Sequence, residues 1–217
     1  IWWVPPAPLQ QVDQARSGVL AVLRHPALLR LDFGVFVLHA VQLAMWVALP
    51  AMLVQAGLAR DQHWQVYLPA VLASFFVMGA TLFPLEKKGY LRAVFLSAIG
   101  LIAVVQVALW LLTQAGPSVW AMGLVLFVFF CGFNVLEASQ PSLASKAAPA
   151  SARGAALGVY NTLQSLGFFA GGALGGWLVK SAGAQALFVA SGGAMVAWLL
   201  VAWRMEAPAA KPAAKAG

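Results

Sequence analysis

The chain has 217 residues, of which 62% are hydrophobic and only 9% are charged. Because a soluble domain carries about 25% charged residues, this composition excludes a water-soluble globular protein and predicts one embedded in lipid. The net charge of +7 does not indicate nucleic-acid binding, since the basic residues lie scattered at the ends of apolar runs, where anionic lipid headgroups attract them. The lone cysteine, Cys131, excludes a disulfide or a cysteine-based metal site within the chain.

The start of the chain is interpreted as a connector. Ile1-Trp2-Trp3 is similar to the end of an apolar span cut in mid-helix, so we expect the chain to be a fragment of something longer. Residues 4–30 mix proline, glutamine and arginine with a short amphipathic stretch, which is typical of a segment lying on a membrane surface. Pro26 is expected to start the first spanning helix, because proline is tolerated in a first turn.

Six apolar runs are long enough to cross a bilayer, which takes about 20 residues of helix. They do not alternate apolar and polar residues as β-barrel strands would. We therefore expect an all-α membrane protein with a six-transmembrane-helix bundle over residues 26–203. The runs are 33–58, 64–85, 93–112, 119–144, 154–179 and 185–203.

The loop charges predict the orientation of the bundle. Of the thirteen lysines and arginines, all except Arg60 and Lys180, and therefore eleven, fall on one side of the membrane. By the positive-inside rule that side is cytoplasmic, and an even number of spans places both termini there.

The tail over residues 204–217 is mostly alanine, proline and lysine with nothing to bury, so we expect it to be disordered.

The first run carries a polar stripe. Asp32, His39, Gln42 and Trp46 are spaced by seven, three and four residues, which puts them along one helix face. For Asp32 we favour a cap at the membrane interface. For His39 and Gln42 two interpretations stay open: they line a water-filled cavity, or they make hydrogen bonds between helices.

The fourth run contains Glu137, a carboxylate with no other charged residue between Arg92 and Lys146. Such a residue is costly in a bilayer and usually functional. Glu137 lies nine residues before Lys146, about 14 Å along the helix axis, and Asn134 shares its face. We favour a carboxyl group that takes up and releases a proton. The alternative is a protonated glutamic acid hydrogen-bonded to a neighbouring helix.

The fifth run combines polar pairs with two rows of glycines. Tyr160 pairs with Gln164, and Asn161 with Ser165, each four residues apart. Small residues four apart let membrane helices approach closely, so we expect the glycine face to be packing. The rows are Gly167, Gly171 and Gly175, and beside them Gly172 and Gly176.

In the third run Gln106 is an isolated polar residue, and we interpret it as a side chain that makes a hydrogen bond between helices.

The sequence contains no HExxH, GxSxG or phosphate-binding loop, and no Cys/His cluster with metal spacing. We therefore expect no enzyme activity, no catalytic residues, no cofactor and no metal site.

The polar and glycine motifs resemble those of the major facilitator superfamily. Gly167-Phe-Phe-Ala-Gly171-Gly172-Ala-Leu-Gly175-Gly176 is similar to the G-x-x-x-G-P-x-x-G-G signature of its antiporters, with Gly172 in place of proline. The stretch from Phe133 to Leu143, with Tyr160, Asn161 and Gln164 beyond, resembles the tenth and eleventh helices of bacterial drug-exporter-like members. The loop between the second and third runs resembles the family's cytoplasmic loop motif through Glu86, Lys87, Gly89 and Arg92, although Leu82 and Pro84 depart from it.

The resemblance covers about residues 26–203. It implies that the chain is the C-terminal bundle, spans seven to twelve, of a twelve-helix transporter, with residues 1–25 holding the end of helix six and the linker between bundles. It also implies a substrate cavity bordered by helices seven, eight, ten and eleven. The polar stripes lie on three of these four helices.

The leading hypothesis is a proton-coupled secondary transporter in the inner membrane that exports small, partly apolar compounds. Glu137 would bind the proton. The residues expected near the solute are His39, Gln42, Trp46, Asn134, Tyr160, Asn161 and Gln164. Two alternatives stay open: a membrane scaffold that does not transport, and a facilitator without ion coupling. The expected partners are the solute, protons, the bilayer and the N-terminal six-helix half.

Overall fold

The computed structural model describes residues 18–205. Of the expected connector over residues 1–25, residues 1–17 lie outside the described part of the chain, and so do residues 206–217 of the expected tail over residues 204–217. The helices are α1 (Pro26–Gln55), α2 (Trp64–Lys87), α3 (Leu91–Ala115), α4 (Val119–Ala147) and a final helical run, Arg153–Trp203, with short 3-10 turns at Arg60–Gln62 and Ala150–Ala152. Residues 18–22 are also helical, and within residues 18–205 the five runs named above are long and apolar enough to cross a membrane. The prediction of an all-α membrane protein is confirmed.

The final run is two spans, because the backbone leaves the helical region at Gly183, with φ 81° and ψ 171°. A positive φ of this kind favours glycine, which has no Cβ. As one straight helix the 51 residues would extend about 77 Å, more than twice the thickness of the hydrocarbon core. Residues at similar distances on the two sides of Gly183, such as Leu178 and Leu187, line the same crevice. The chain therefore reverses there, and residues 153–182 and 184–203 are called α5 and α6.

The first helix begins about two turns before the apolar run that predicted it. Pro26 lies in its first turn, as expected, and His25 is the residue before the helix. Asp32 is therefore inside α1, with only 4% of its surface exposed. The expectation that Asp32 caps the helix at the interface is wrong, because the turn that Pro26 starts already lies ahead of it.

The bundle is organised around α1 and α4. Helix α1 packs mainly against α5 and α6, while α4 packs against both α2 and α3. The indole of Trp198 on α6 lies so close to Gly34 on α1 that a Cβ there would be 2.5 Å from its Nε1 atom. Trp198 also meets Phe95 on α3 edge-on, with the ring centroids 6.0 Å apart. These contacts hold α1, α3 and α6 together.

One glycine row of α5 lies directly against α1. A Cβ at Gly167 would be 2.5 Å from the Phe36 carbonyl oxygen, and one at Gly175 would be 2.8 Å from the Ala44 Cα. Gly171, between them, faces the Ala40 backbone in the same way. In the neighbouring row a Cβ at Gly172 would touch only a Leu43 methyl group at 3.3 Å, and one at Gly176 would meet nothing within 4 Å. The row of three glycines therefore sets the distance between α1 and α5.

Candidate functional site

Three predicted polar residues from three helices meet in one cluster. The Nε2 atom of His39 on α1 lies 3.0 Å from Oε2 of Glu137 on α4. The Nε2 atom of Gln164 on α5 donates to Oε1 of Glu137 at 3.2 Å and lies 2.8 Å from Nε2 of His39. We call His39, Glu137 and Gln164 the polar cluster. It joins α1, α4 and α5.

The two ionisable members of the cluster differ in exposure. The His39 side chain is 1% exposed, whereas 36% of the Glu137 side chain is exposed. Aromatic edges from Phe133 on α4 and Phe168 on α5 hold the imidazole, with centroid distances of 5.9 and 4.8 Å. His39 is thus fixed inside the bundle, and Glu137 extends from it to the bundle surface.

The hydrogen bonds of the cluster leave one position for a proton. The Nδ1 atom of His39 lies 2.8 Å from the Val35 carbonyl oxygen, which can only accept, so Nδ1 carries a hydrogen. In a neutral imidazole Nε2 is then an acceptor, and the Gln164 amide can donate to it and to Oε1 of Glu137. Oε2 of Glu137 would then face the Nε2 lone pair without a hydrogen bond, and it has no other partner in residues 18–205. One added proton between Nε2 and Oε2 removes this repulsion, and because it then occupies the single lone pair of Nε2, the Gln164 amide keeps only its bond to Oε1 of Glu137.

Asn134 and Trp46 belong to contacts beside the cluster. Asn134 donates from Nδ2 to the Ser74 hydroxyl on α2 at 2.8 Å, which ties α4 to α2. The Trp46 ring meets Tyr67 on α2 edge-on, with centroids 4.9 Å apart. Gln42 is half-buried, and its Oε1 atom has no hydrogen-bond partner in the described part of the chain.

The two remaining candidates on α5 lie in different environments. Tyr160 is 2% exposed, and its hydroxyl has no hydrogen-bond partner among residues 18–205. It lies one helical turn before Gln164, on the same face. Asn161 is exposed, and only its backbone carbonyl is hydrogen-bonded to a side chain, that of Ser165. The structure therefore does not bring Asn161 into the polar cluster.

The loop motif lies at the opposite end of α2 from the Arg60–Gln62 turn. Glu86 accepts from the Lys146 ammonium at 3.2 Å, so the end of α2 is linked to the end of α4. Arg92 donates to the Trp203 carbonyl oxygen at 2.6 Å, at the end of α6. Lys87 is exposed, and Gly89 has a φ of 83°. A positive φ explains glycine at that position.

Sequence reasoning missed several buried polar residues, and two of them, Ser74 and Gln140, are fully buried. Ser74 is fully buried on α2 and would have been found only from its partner, Asn134. Gln140 is also fully buried, and neither of its amide atoms has a partner within residues 18–205. It lies three residues after Glu137, so its helical spacing was a usable signal. Gln106 was expected to make a hydrogen bond between helices. Its Nε2 atom makes a weak contact of this kind with the Met45 sulfur on α1, at 3.8 Å.

The cluster is suited to proton chemistry. Residues 18–205 contain no group of three or more His, Cys, Asp or Glu side chains that could hold a metal ion. An imidazole and a carboxylate in contact can share a proton, and an ionisable group between membrane helices usually marks a pathway for ions or solutes. Such a cluster between three membrane spans points to a membrane protein that handles ions or solutes.

The chain belongs to the Major Facilitator Superfamily, whose family model matches residues 31–217. Members of this family move small molecules across the lipid bilayer and are not enzymes. The resemblance found in the sequence and the expectation of no enzyme activity are therefore confirmed.

Two curated relatives agree with this family. The chain is 39% identical to the inner membrane transport protein YajR of Escherichia coli (strain K12) over 213 residues, which cover 95% of this chain and 46% of that protein. It is 29% identical over 153 residues to the uncharacterized transporter BU466 of Buchnera aphidicola (subsp. Acyrthosiphon pisum, strain APS), with 70% of this chain and 38% of that protein covered. The chain thus spans less than half the length of both relatives.

Proposed function

We propose that this chain is the C-terminal half of a proton-coupled secondary transporter that exports small, partly apolar molecules. In this proposal His39 and Glu137 share the coupled proton, and Gln164 orients them. The N-terminal six-helix half supplies the other side of the substrate cavity. The transporter lies in the inner membrane with both termini in the cytoplasm.

The contact between His39 and Glu137 is the observation that carries the proposal. Their facing atoms are 3.0 Å apart, and the His39 tautomer directs a lone pair at the carboxylate. A single proton changes this contact from repulsion to a hydrogen bond, which is stronger when one partner is charged. Since the three residues come from three helices, a change in protonation would alter the attraction between α1, α4 and α5. This is the link that coupling to helix movement requires.

The surroundings of the cluster favour a partly apolar solute. Phe133 and Phe168 border the imidazole, and Trp46 with Tyr67 adds a second aromatic pair. Aromatic rings offer a large apolar surface, while Tyr and Trp also offer a polar atom. The partly exposed Glu137 carboxyl would supply the polar contact.

The scaffold alternative is less well supported. It expects Glu137 and His39 to face separate helix contacts, whereas the two side chains are in contact. The facilitator alternative keeps the same cavity but predicts transport that is indifferent to the proton gradient. Transport measurements separate all three functions.

The test is transport by the full-length protein in proteoliposomes under an imposed pH gradient, with a panel of small, partly apolar compounds. For wild-type protein we expect accumulation that collapses with the gradient. Glu137→Gln keeps the size of the side chain but removes its acid, so accumulation should fall to the level without a gradient. Asp61→Asn, which changes an exposed acid in a loop turn, is the matched control and should behave like wild type.

Three results would contradict the proposal. A Glu137→Gln variant with wild-type dependence on the gradient would remove Glu137 from coupling. Wild-type transport that is indifferent to the gradient would favour the facilitator, and no transport of any compound by a folded, correctly inserted protein would favour the scaffold.

A further inference from the structure

A lateral crevice between α2, α3 and α4 lies apart from the polar cluster. Its volume is about 560 Å³. The hydroxyl of Thr81, which lines it, is already bonded to the Val77 carbonyl oxygen at 2.7 Å. The walls are otherwise largely apolar and include Leu85 on α2, Val94 and Leu101 on α3, and Cys131 and Val135 on α4.

The packing of the three helices explains why the crevice exists. Helices α2 and α3 each pack closely on α4 but make few contacts with each other. Gly132 allows the close approach of α4 to α3, since a Cβ there would lie 3.0 Å from the Ala98 carbonyl oxygen. The floor of the crevice is therefore tight, and the gap opens between α2 and α3.

The crevice has the length of one bilayer leaflet. It extends along α3 from Tyr90 to Leu101, eleven residues and about 16 Å at the rise of an α-helix. One leaflet contributes about 15 Å of the hydrocarbon core. A crevice of this length that begins at the membrane surface would reach about the middle of the bilayer.

The open end of the crevice carries positive charge. Leu85 and Tyr90 line the crevice at this end, and the segment between them, which ends α2 and starts the following loop, contains Lys87 and Lys88, both exposed. The one acidic residue of this segment, Glu86, forms an ion pair with Lys146 at 3.2 Å. The two lysines are therefore left to attract an anion from the membrane surface.

We propose that the crevice is a binding site for an anionic phospholipid. One acyl chain lies between α2 and α3 and reaches the bilayer midplane. The headgroup phosphate lies at Lys87 and Lys88. The combination of a leaflet-long apolar slot and a basic entrance fits this occupant, whereas the N-terminal half or a second copy of the chain would not need the charge.

The test is photocrosslinking of the full-length protein in nanodiscs with phosphatidylglycerol that carries a diazirine on one acyl chain. Phosphatidylcholine with the same diazirine is the comparison lipid. We expect crosslinks in the peptides that contain residues 91–101 and 131–135, with the anionic probe favoured. Since each lysine near the surface contributes about fivefold, or about 1 kcal/mol, the preference should be up to about 30-fold.

Two pairs of variants complete the test. The double variant Lys87→Ser/Lys88→Ser should reduce labelling by phosphatidylglycerol to the phosphatidylcholine level, while Lys180→Ser, at an exposed lysine near the Gly183 turn, should not. Ala93→Trp should block the crevice and abolish labelling by both lipids, whereas Ala197→Trp on the exposed face of α6 should leave it intact.

Three results would overturn the proposal. Equal labelling by the two lipids in wild-type protein would remove the anionic preference. Labelling that survives Ala93→Trp would place the lipid elsewhere. Crevice peptides that neither lipid labels would mean that a protein helix fills the crevice. None of these results bears on the proposed proton site, because the crevice shares no residue with the polar cluster.

Discussion

Two adjacent glycines in α5 allow a closely matched test of the helix packing. Gly175 faces α1, where a Cβ would lie 2.8 Å from the Ala44 Cα and 3.1 Å from its Cβ. Gly176 is the next residue, and a Cβ there would meet nothing within 4 Å. The same substitution, glycine to alanine, therefore adds one methyl group to a closed contact in one variant and to open space in the other.

The expected effects have opposite signs. Overpacking a close contact typically costs 1–3 kcal/mol, and at Gly175 the obstacle is backbone, which cannot rotate away. At Gly176 the methyl group is free, and alanine is favoured over glycine in a helix by up to about 1 kcal/mol. We therefore expect Gly175→Ala to be less stable than Gly176→Ala by about 2 kcal/mol or more. For a domain of this size that corresponds to a difference in Tm of about 4–8 °C.

Thermal unfolding of the two purified variants, followed by size-exclusion chromatography after heating, measures this difference. Wild-type protein and Gly172→Ala, whose added Cβ would meet only a leucine methyl group, should lie between the two. Equal Tm values for Gly175→Ala and Gly176→Ala would refute the reasoning, because they would mean that α1 and α5 are not in backbone contact at Gly175.

Three further predictions concern polar residues. Gln140→Leu should raise the free energy of unfolding by about 1 kcal/mol, because it removes a buried amide without partners in the described chain. A decrease of similar size, measured by thermal unfolding, would instead reveal a hydrogen bond to Gln140. Asn134→Leu should lower the free energy of unfolding by about 1 kcal/mol, since it leaves the buried Ser74 without its bond to α4. Adding Ser74→Ala to this variant should lower the free energy of unfolding only slightly further. Lys146→Ala should change the stability by less than about 1 kcal/mol, because both partners of its pair with Glu86 are more than one-third exposed; a larger loss would mean that the pair is shielded from water.

The fold could largely be predicted from apolar run lengths. The four later helices that follow polar breaks begin within two residues of the predicted runs, because a charged or glycine-containing segment marks each break. The start of α1 at Pro26 was expected, but Asp32 was placed at the interface because a charged residue near the end of an apolar run was assumed to stand there. The division of the final helical run into two spans depends on Gly183, because without the positive φ of this residue the last two runs would form one helix.

The candidate site could be predicted only in part. Spacing on α1 singled out His39, and isolation in an apolar run singled out Glu137, but their contact depends on how α1 and α4 are aligned, and no single helix encodes that alignment. The glycine row predicted that α5 packs closely against some helix, and the partner, α1, came only from the structure. Gln140 was not singled out, although it lies three residues after Glu137, because its burial depends on how α4 packs against its neighbours.

The central claim is that His39 and Glu137 form one proton site, and the coupling stoichiometry tests it most directly. Reversal-potential measurements on the full-length protein in proteoliposomes give the number of protons moved per solute for Glu137→Gln, His39→Gln and the double variant. We predict that both single variants lose the same one proton and that the double variant loses no more, since residues that act as a unit are not additive. A double variant that loses two protons, or single variants that retain the wild-type stoichiometry, would contradict the claim.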